Sequence, residues 1–222
     1  MWHKSSNKKD VKGKKPGFRA EHEKLLIKIQ TKIDEQANII QETKSLLKGI
    51  FNNYEKMYSV AELEGGALYW GEMVAGKRAG RGVNRWENGD KYLGDWLRDL
   101  QHGKGWNDWV DGSCYVGGYK DGVKDGLGEY IWEDGTKYIG EWKDNNIEGT
   151  GKYTWSDGRE YFGEWNNGVM HGFGVFISKD GKKYMCMWAN GKKHGQGTTF
   201  HKEGKVTEDT WEQGKMVKSI PE

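Results

Sequence analysis

Cysteine is nearly absent from this chain: only Cys114 and Cys186 occur in 222 residues. They lie far apart in the sequence. A disulfide is not expected between them, and a reducing, intracellular setting fits. Long apolar runs are also missing. No stretch of 18 apolar residues exists, which excludes a membrane-spanning helix. Met1–Ala20 is basic but has no apolar centre, so no secretory signal is read there. The hydrophobic share is 35% and the mean hydropathy is −0.95, low for a globule wrapped around a deep core. A sheet with little enclosed volume fits these values better.

What the chain does have is glycine and tryptophan, 34 and 12 residues respectively, set out on a fixed period of 23. Tyr-x-Gly-x-Trp begins at Tyr69, Tyr92, Tyr115, Tyr138, Tyr161 and Tyr184, with a decayed copy at Thr207. The slot four residues on holds Met73, Trp96, Tyr119, Trp142, Trp165, Trp188 and Trp211. A glycine pair follows in six copies, as at Gly126 and Gly128. A second aromatic column stands at Trp86, Trp109, Trp132 and Trp155, then lapses to Ser178 and His201. Each unit closes on Asn-Gly, Asp-Gly or Glu-Gly, from Asn88-Gly89 to Glu203-Gly204. A period of this length sets the architecture before any local reading does.

The slots read as a hairpin. Tyr, Gly and Trp at i, i+2 and i+4 share one face of a strand. A Gly-rich loop is expected between the strands, and the second strand runs from the glycine pair to the second tryptophan, for example Gly126 to Trp132. Asn-Gly and Asp-Gly mark tight turns because they tolerate positive φ. About thirteen strands at ~4.8 Å spacing predict a ribbon roughly 60 Å long.

The pattern over residues 67–217 resembles the MORN repeat (membrane occupation and recognition nexus). Met73, Cys186 and the last copy depart from it. The resemblance implies a mainly β fold: an elongated, single-layer antiparallel sheet with an aromatic groove, used for binding or scaffolding rather than catalysis. On that basis Tyr92, Trp96, Trp109, Tyr115, Trp132, Tyr138, Trp142, Trp155, Tyr161 and Trp165 are candidate partner-binding residues on the aromatic face. The array stops five residues before Glu222, and no catalytic domain is expected after it.

The rest of the chain lies N-terminal. Residues 1–20 carry seven basic side chains (Lys4, Lys8, Lys9, Lys12, Lys14, Lys15, Arg19) against Asp10 alone. A solvated arm is expected there. Weak contact of residues 4–19 with acidic lipid or another acidic surface is the alternative. Residues 21–58 read as one helix with a heptad frame. Its a positions are Leu26, Ile33, Ile40, Leu47 and Tyr54, and its d positions Ile29, Gln36, Thr43, Ile50 and Met57. Gln36 and Thr43 are expected to fix register in the seam. The apolar members are candidate partner-binding residues for an outside helix or a second copy. Docking on the chain's own sheet is the competing expectation, since helix and ribbon have similar lengths. Residues 59–66 read as a linker on which helix and array pivot, and residues 218–222 as a tail.

The second face of the sheet varies along the array. Copies three and four place Lys137, Glu141, Lys143, Lys152 and Thr154 there. Copies five and six place Phe162, Phe173, Val175, Ile177, Met185, Met187 and Phe200 there. That apolar patch is expected to dock a partner or the chain's own helix.

No catalytic constellation, metal site, cofactor site or specific nucleic-acid surface is read. Gly149-Thr150-Gly151-Lys152 lacks the spacing and hydroxyl of a phosphate loop. His102, His171 and His194 share one repeat slot and have no partner at ligand spacing. Three functions stay open. One is a structural subunit of a ciliary or flagellar axoneme, similar to radial-spoke-head MORN proteins. Another is a peripheral tether on acidic lipid. The third is an adaptor holding a partner peptide or helix, such as a motor tail, in the groove.

Overall fold

A computed structural model describes residues 18–221. The basic segment lies outside the described residues as far as Gly17. Helix α1 spans Phe18–Met57, starting three residues earlier than the heptad reading placed it. After it come β1 (Ala61–Glu62), β2 (Leu68–Val74), β3 (Lys77–Arg85), β4 (Lys91–Leu97), β5 (Leu100–Asp108), β6 (Cys114–Lys120), β7 (Val123–Ile131) and β8 (Lys137–Lys143). The chain continues through β9 (Asn146–Thr154), β10 (Glu160–Asn166), β11 (Val169–Ile177), β12 (Lys183–Ala189), β13 (Lys192–Phe200), β14 (Val206–Glu212) and β15 (Lys215–Pro221). All fifteen strands join one antiparallel sheet in chain order. The expected thirteen gain two, one at each end. The presumed linker contributes β1, whose Ala61 pairs with Tyr69, so it is tied to the array rather than a free pivot. The presumed tail belongs to β15, where Ile220 pairs with Glu208.

No Gly-rich loop separates the strands. The second strand of each hairpin begins ahead of the glycine pair, which lies inside it. Gly94, Gly105, Gly117, Gly128, Gly140 and Gly151 pair in succession down one column. The first glycine of each pair, such as Gly149 at φ 65°, takes a left-handed conformation that most other residues adopt only at a cost. That conformation absorbs a bulge, and the strand runs on through it. The reversal falls instead at two-residue tips. Asp144 and Asn145 have φ of 47° and 68°. Two successive positive φ values are the hairpin turn whose twist matches that of the strands.

The aromatic face is packed within each unit. The rings of Tyr69, Tyr92, Tyr115, Tyr138 and Tyr161 lie across the glycine column and their hydroxyls donate to the carbonyl three residues on, as Tyr138 does to Glu141 at 3.1 Å. The Trp indole N–H donates to a glycine carbonyl of the preceding unit: Trp142 to Gly128 at 3.2 Å. Rings of adjacent units meet edge to face, as Tyr115 and Trp142 do at 5.5 Å. Where the Tyr ring covers this column a side chain does not fit without displacement, although the last two copies hold Cys186 and Asp209 in the slot. A Cβ on Gly163 would stand 2.6 Å from Gly174 Cα and 2.7 Å from Tyr161 Oη.

Helix α1 lies across the second face, touching β2 through β11. Its N-terminal end meets the late repeats: the His22 ring is 4.8 Å from Phe173. There Leu26, Ile29 and Ile33 pack with Phe162, Phe173, Val175, Ile177, Met185 and Phe200. At the other end Leu47, Ile50, Tyr54 and Tyr58 pack with Trp70, Val83, Leu93, Trp106 and Val116.

Between the two apolar ends the polar part of the seam meets the polar part of the sheet. Gln36 donates to the Thr150 carbonyl and to Glu141, each at 3.4 Å. Lys32 pairs with Glu141 at 2.6 Å. Lys44 and Lys137 both pair with Glu129, which is 3% exposed. Burial raises the Glu129 pKa, but hydrogen bonds and charge from Lys137 and Lys44 outweigh it and hold the group below its ordinary value. The seam is therefore covered by the chain's own sheet, although the buried Gln36 Oε1 has no partner among the described residues. An outside helix or a second copy is not what covers it. Met57 stays 68% exposed and Met187 41% exposed, outside both clusters.

Candidate interaction groove

The aromatic face is left uncovered by the helix, and it divides into floor and wall. Tyr92, Tyr115, Tyr138, Tyr161, Trp96, Trp142 and Trp165 are buried core. Their hydroxyl and indole groups are spent on backbone carbonyls. Burial also pushes the phenol pKa values up, as at Tyr138. These residues build the sheet and offer a partner almost no surface, contrary to the sequence expectation.

Trp109, Trp132 and Trp155 are different. They stand half-buried above the floor. Each is interleaved with a ring that sequence reasoning passed over: Tyr130, Tyr153 and Phe176. The six form a continuous ladder. Trp109 stacks on Tyr130 at 5.4 Å, Tyr130 meets Trp132 at 4.5 Å, and Trp132 meets Tyr153 at 5.3 Å. Tyr153 meets Trp155 at 4.6 Å, and Trp155 meets Phe176 at 5.7 Å. The signal was present in the period. Tyr130, Tyr153 and Phe176 recur 23 residues apart, two residues before the Trp column or its lapsed slot.

Depressions follow this ladder along the face. One of about 530 Å³ is lined by Trp86, Asp90, Asn107, Trp109 and Lys124. The next, about 350 Å³, is lined by Ser113, Tyr130, Trp132 and Tyr153. A third, about 290 Å³, is lined by Tyr153, Trp155, Val169 and Met170. Hairpin tips form one rim and the Asp-Gly turns the other.

A third slot tunes the groove. It holds Arg78, Gln101, Lys124, Ile147, Met170 and Lys193. Arg78 lies 4.0 Å above the Trp96 ring. Lys193 lies 3.6 Å above Trp211. Lys124 lies 4.5 Å from Tyr130 and 5.1 Å from Trp142, and desolvation lowers its pKa. Ile147 and Met170 leave the stretch between them apolar.

Among the described residues no group of three His, Cys, Asp or Glu side chains could hold a metal. No described helix is long and apolar enough to cross a membrane. Cys186 is buried, and desolvation pushes its thiol up to about 12. The second-face lysines of copies three and four are paired: Lys137 with Glu129, Lys143 with Asp125 at 3.2 Å and Lys152 with Glu160 at 2.7 Å.

A long sheet of identical hairpins, packed within units on one face and splinted by a helix on the other, defines an open β-repeat protein. The MORN repeat profile matches residues 69–91, 92–114, 115–137, 138–158, 161–183 and 187–202, more than half of the chain. The chain belongs to the MORN-repeat family. None of the curated proteins matches it by sequence. Among solved structures it is similar to the SAS-4 (dCPAP) TCP domain in complex with a proline-rich motif of Ana2 (dSTIL) of Drosophila melanogaster. That match has a TM-score of 0.43 and 10% identity, covering 70% of this chain and 90% of that one. It is also similar to the wild-type TCP10 domain of Danio rerio CPAP, with a TM-score of 0.33 and 15% identity over 72% of this chain and 87% of that one.

Proposed function

We propose that this protein is a non-catalytic scaffold that grips a partner protein in the aromatic groove, as a structural subunit of a larger assembly. One observation carries the reading. The chain covers its own second face with α1 but leaves the six-ring ladder from Trp109 to Phe176 open to solvent. Half-exposed aromatic rings in a row, rimmed by polar turns, match the composition of interface cores. The MORN family is generally one of non-enzymatic scaffolds, which supports the same reading.

The assembly we propose is a ciliary or flagellar axoneme, on the similarity of layout to radial-spoke-head MORN proteins. Tagged full-length protein from ciliated tissue is expected to co-purify with axonemal proteins. Trp132→Ala with Trp155→Ala is expected to cut that recovery at least tenfold without altering the β signal in circular dichroism. Undiminished recovery by the double variant would rule out the groove as the grip. Liposome flotation with and without residues 1–20 tests the lipid alternative. The paired sheet lysines argue against any contribution from the array.

A further inference from the structure

The ring ladder has a gap, and the gap is shaped. In the third repeat unit Tyr130 stacks on Trp109, and its hydroxyl lies 3.4 Å from Ser113 Oγ. The next unit repeats the stack with Tyr153 on Trp132. One period earlier the same three slots hold Asn107, Trp86 and Asp90. The stacking ring is gone. Trp86 makes no ring contact among the described residues. Its neighbourhood opens into the depression of about 530 Å³.

Polar groups stand around the gap. Asn107 is 4% exposed and lines the depression. Its Oδ1 accepts from Gln101 Nε2 at 3.0 Å, while its Nδ2 has no partner among the described residues. A buried amide donor without an acceptor is costly and marks a place where a ligand atom gains most. Lys124 and Asp90 line the same space.

We propose that this cavity receives a tyrosine side chain from a partner protein. The proposal rests on the groove being the partner surface and names its anchor. The ring takes the place on Trp86 that Tyr130 occupies on Trp109. The phenol donates to Asp90, the slot equivalent of Ser113. A main-chain carbonyl of the ligand accepts from Asn107 Nδ2 and the Lys124 ammonium. Phenylalanine fills the space but brings no hydroxyl, so the Asp90 carboxylate keeps only its bonds from Asn88 Nδ2 at 2.8 Å and the Val110 N–H at 3.0 Å. A phosphorylated tyrosine is rejected, because Glu87 and Asp90 on the rim repel its charge.

The test uses the full chain with N-acetyl-L-tyrosinamide as probe, followed by NMR of tryptophan indole and side-chain amide signals. Saturable shifts are expected at Trp86 and Asn107, with the phenylalanine analogue binding at least fivefold more weakly and the phosphotyrosine analogue not at all. Asp90→Ala should equalise tyrosine and phenylalanine. Asn107→Tyr installs the ring that the next two units already carry, so it keeps the fold and should abolish probe binding. Failure of the probe to bind overturns the proposal. So does equal affinity for the two rings in the natural chain, or binding that survives Asn107→Tyr. Partner capture separates this from the wider reading. Capture lost with Trp132→Ala and Trp155→Ala, but kept with Asn107→Tyr, leaves the groove standing and removes its tyrosine anchor.

Discussion

The two faces of this sheet bury their side chains by different means. On the aromatic face each unit finishes its own packing with its neighbour. Tyr138 covers Gly140 and Gly151, and Trp142 reaches back one unit to Gly128. Every unit repeats the solution, so the face is periodic. On the second face little is repeated beyond Glu72, Asp95, Glu141 and Glu164, whose carboxylates each accept from the main-chain N–H nine residues on. Val83 and Leu93 at one end, Glu129 and Glu141 in the middle, and Phe173 and Met185 at the other are each matched to a different stretch of α1. A local solution tolerates unit-by-unit duplication. A global one requires two sequences written against each other.

Substitutions that act on one face alone test that division. The largest effect is expected from Gly163→Val, because the clash is with Gly174 backbone and the Tyr161 ring rather than a mobile side chain. A loss of about 4 kcal/mol is expected. Denaturant unfolding should show it, with hydrogen exchange rising first in β10 and β11. A stability within experimental error of the natural chain would mean the glycine column is not what fixes the aromatic face.

Next comes Ile33→Ala in the buried seam, at about 3 kcal/mol. Hydrogen exchange should show helix amides losing about a hundredfold of protection while β6 to β9 keep theirs. Equal loss in helix and strands would show that the two faces are one cooperative unit.

The smallest effect is expected from Glu129→Gln, about 2 kcal/mol, since the carboxylate is buried while its lysine partners are partly exposed. This pair also carries a pH signature. The folded Glu129 pKa is depressed, so its contribution is complete above the ordinary carboxylate range. It is lost as pH falls through the lower, folded value. Stability curves of the natural chain and the variant should therefore diverge above pH ~5 and converge in acid. Curves that stay parallel down to pH ~3 would show that the lysines do not hold Glu129 charged.

The periodic face was legible in the sequence because each slot repeats its chemistry. Tyr92, Gly94 and Trp96 predict a strand face, and five further copies say the same thing. A Gly-rich loop was read where the second strand already runs, because residues such as Gly103 and Gly149 take turn-like φ values while staying in the ladder. The partner of the helix was not legible. A heptad stripe says which side of a helix is buried and leaves open what buries it. Gln36 in the seam reads equally well as a register-setter in a coiled coil and as a donor to the Thr150 carbonyl. The pairing of Gln36 and Lys44 with copies three and four emerges only when the polar stretch of the helix is laid on the polar stretch of the sheet. Val83, Leu93 and Trp106 are flanked on their own face by charged residues (Arg81 and Arg85, Lys91 and Asp95, Lys104 and Asp108), which hid the apolar strip that Trp70 and Val116 complete. As for the groove, reading the Tyr and Trp columns found the right face and the wrong rings. The conspicuous residues are the mortar, and Tyr130, Tyr153 and Phe176 complete the exposed surface.

The N-terminal end of the helix is also the first described segment to be synthesised, and its docking surface is among the last. Residues Leu26 to Ile33 complete their packing only when Met185 has been made, more than a hundred residues later. At ~5–20 residues per second that is an interval of roughly 8–32 s. Throughout it an apolar stripe emerges from the ribosome with no surface to meet, while each hairpin behind it closes as soon as it appears. Nascent chains of this protein are thus expected to depend on holding factors through the N-terminal helix, and the repeats to need none.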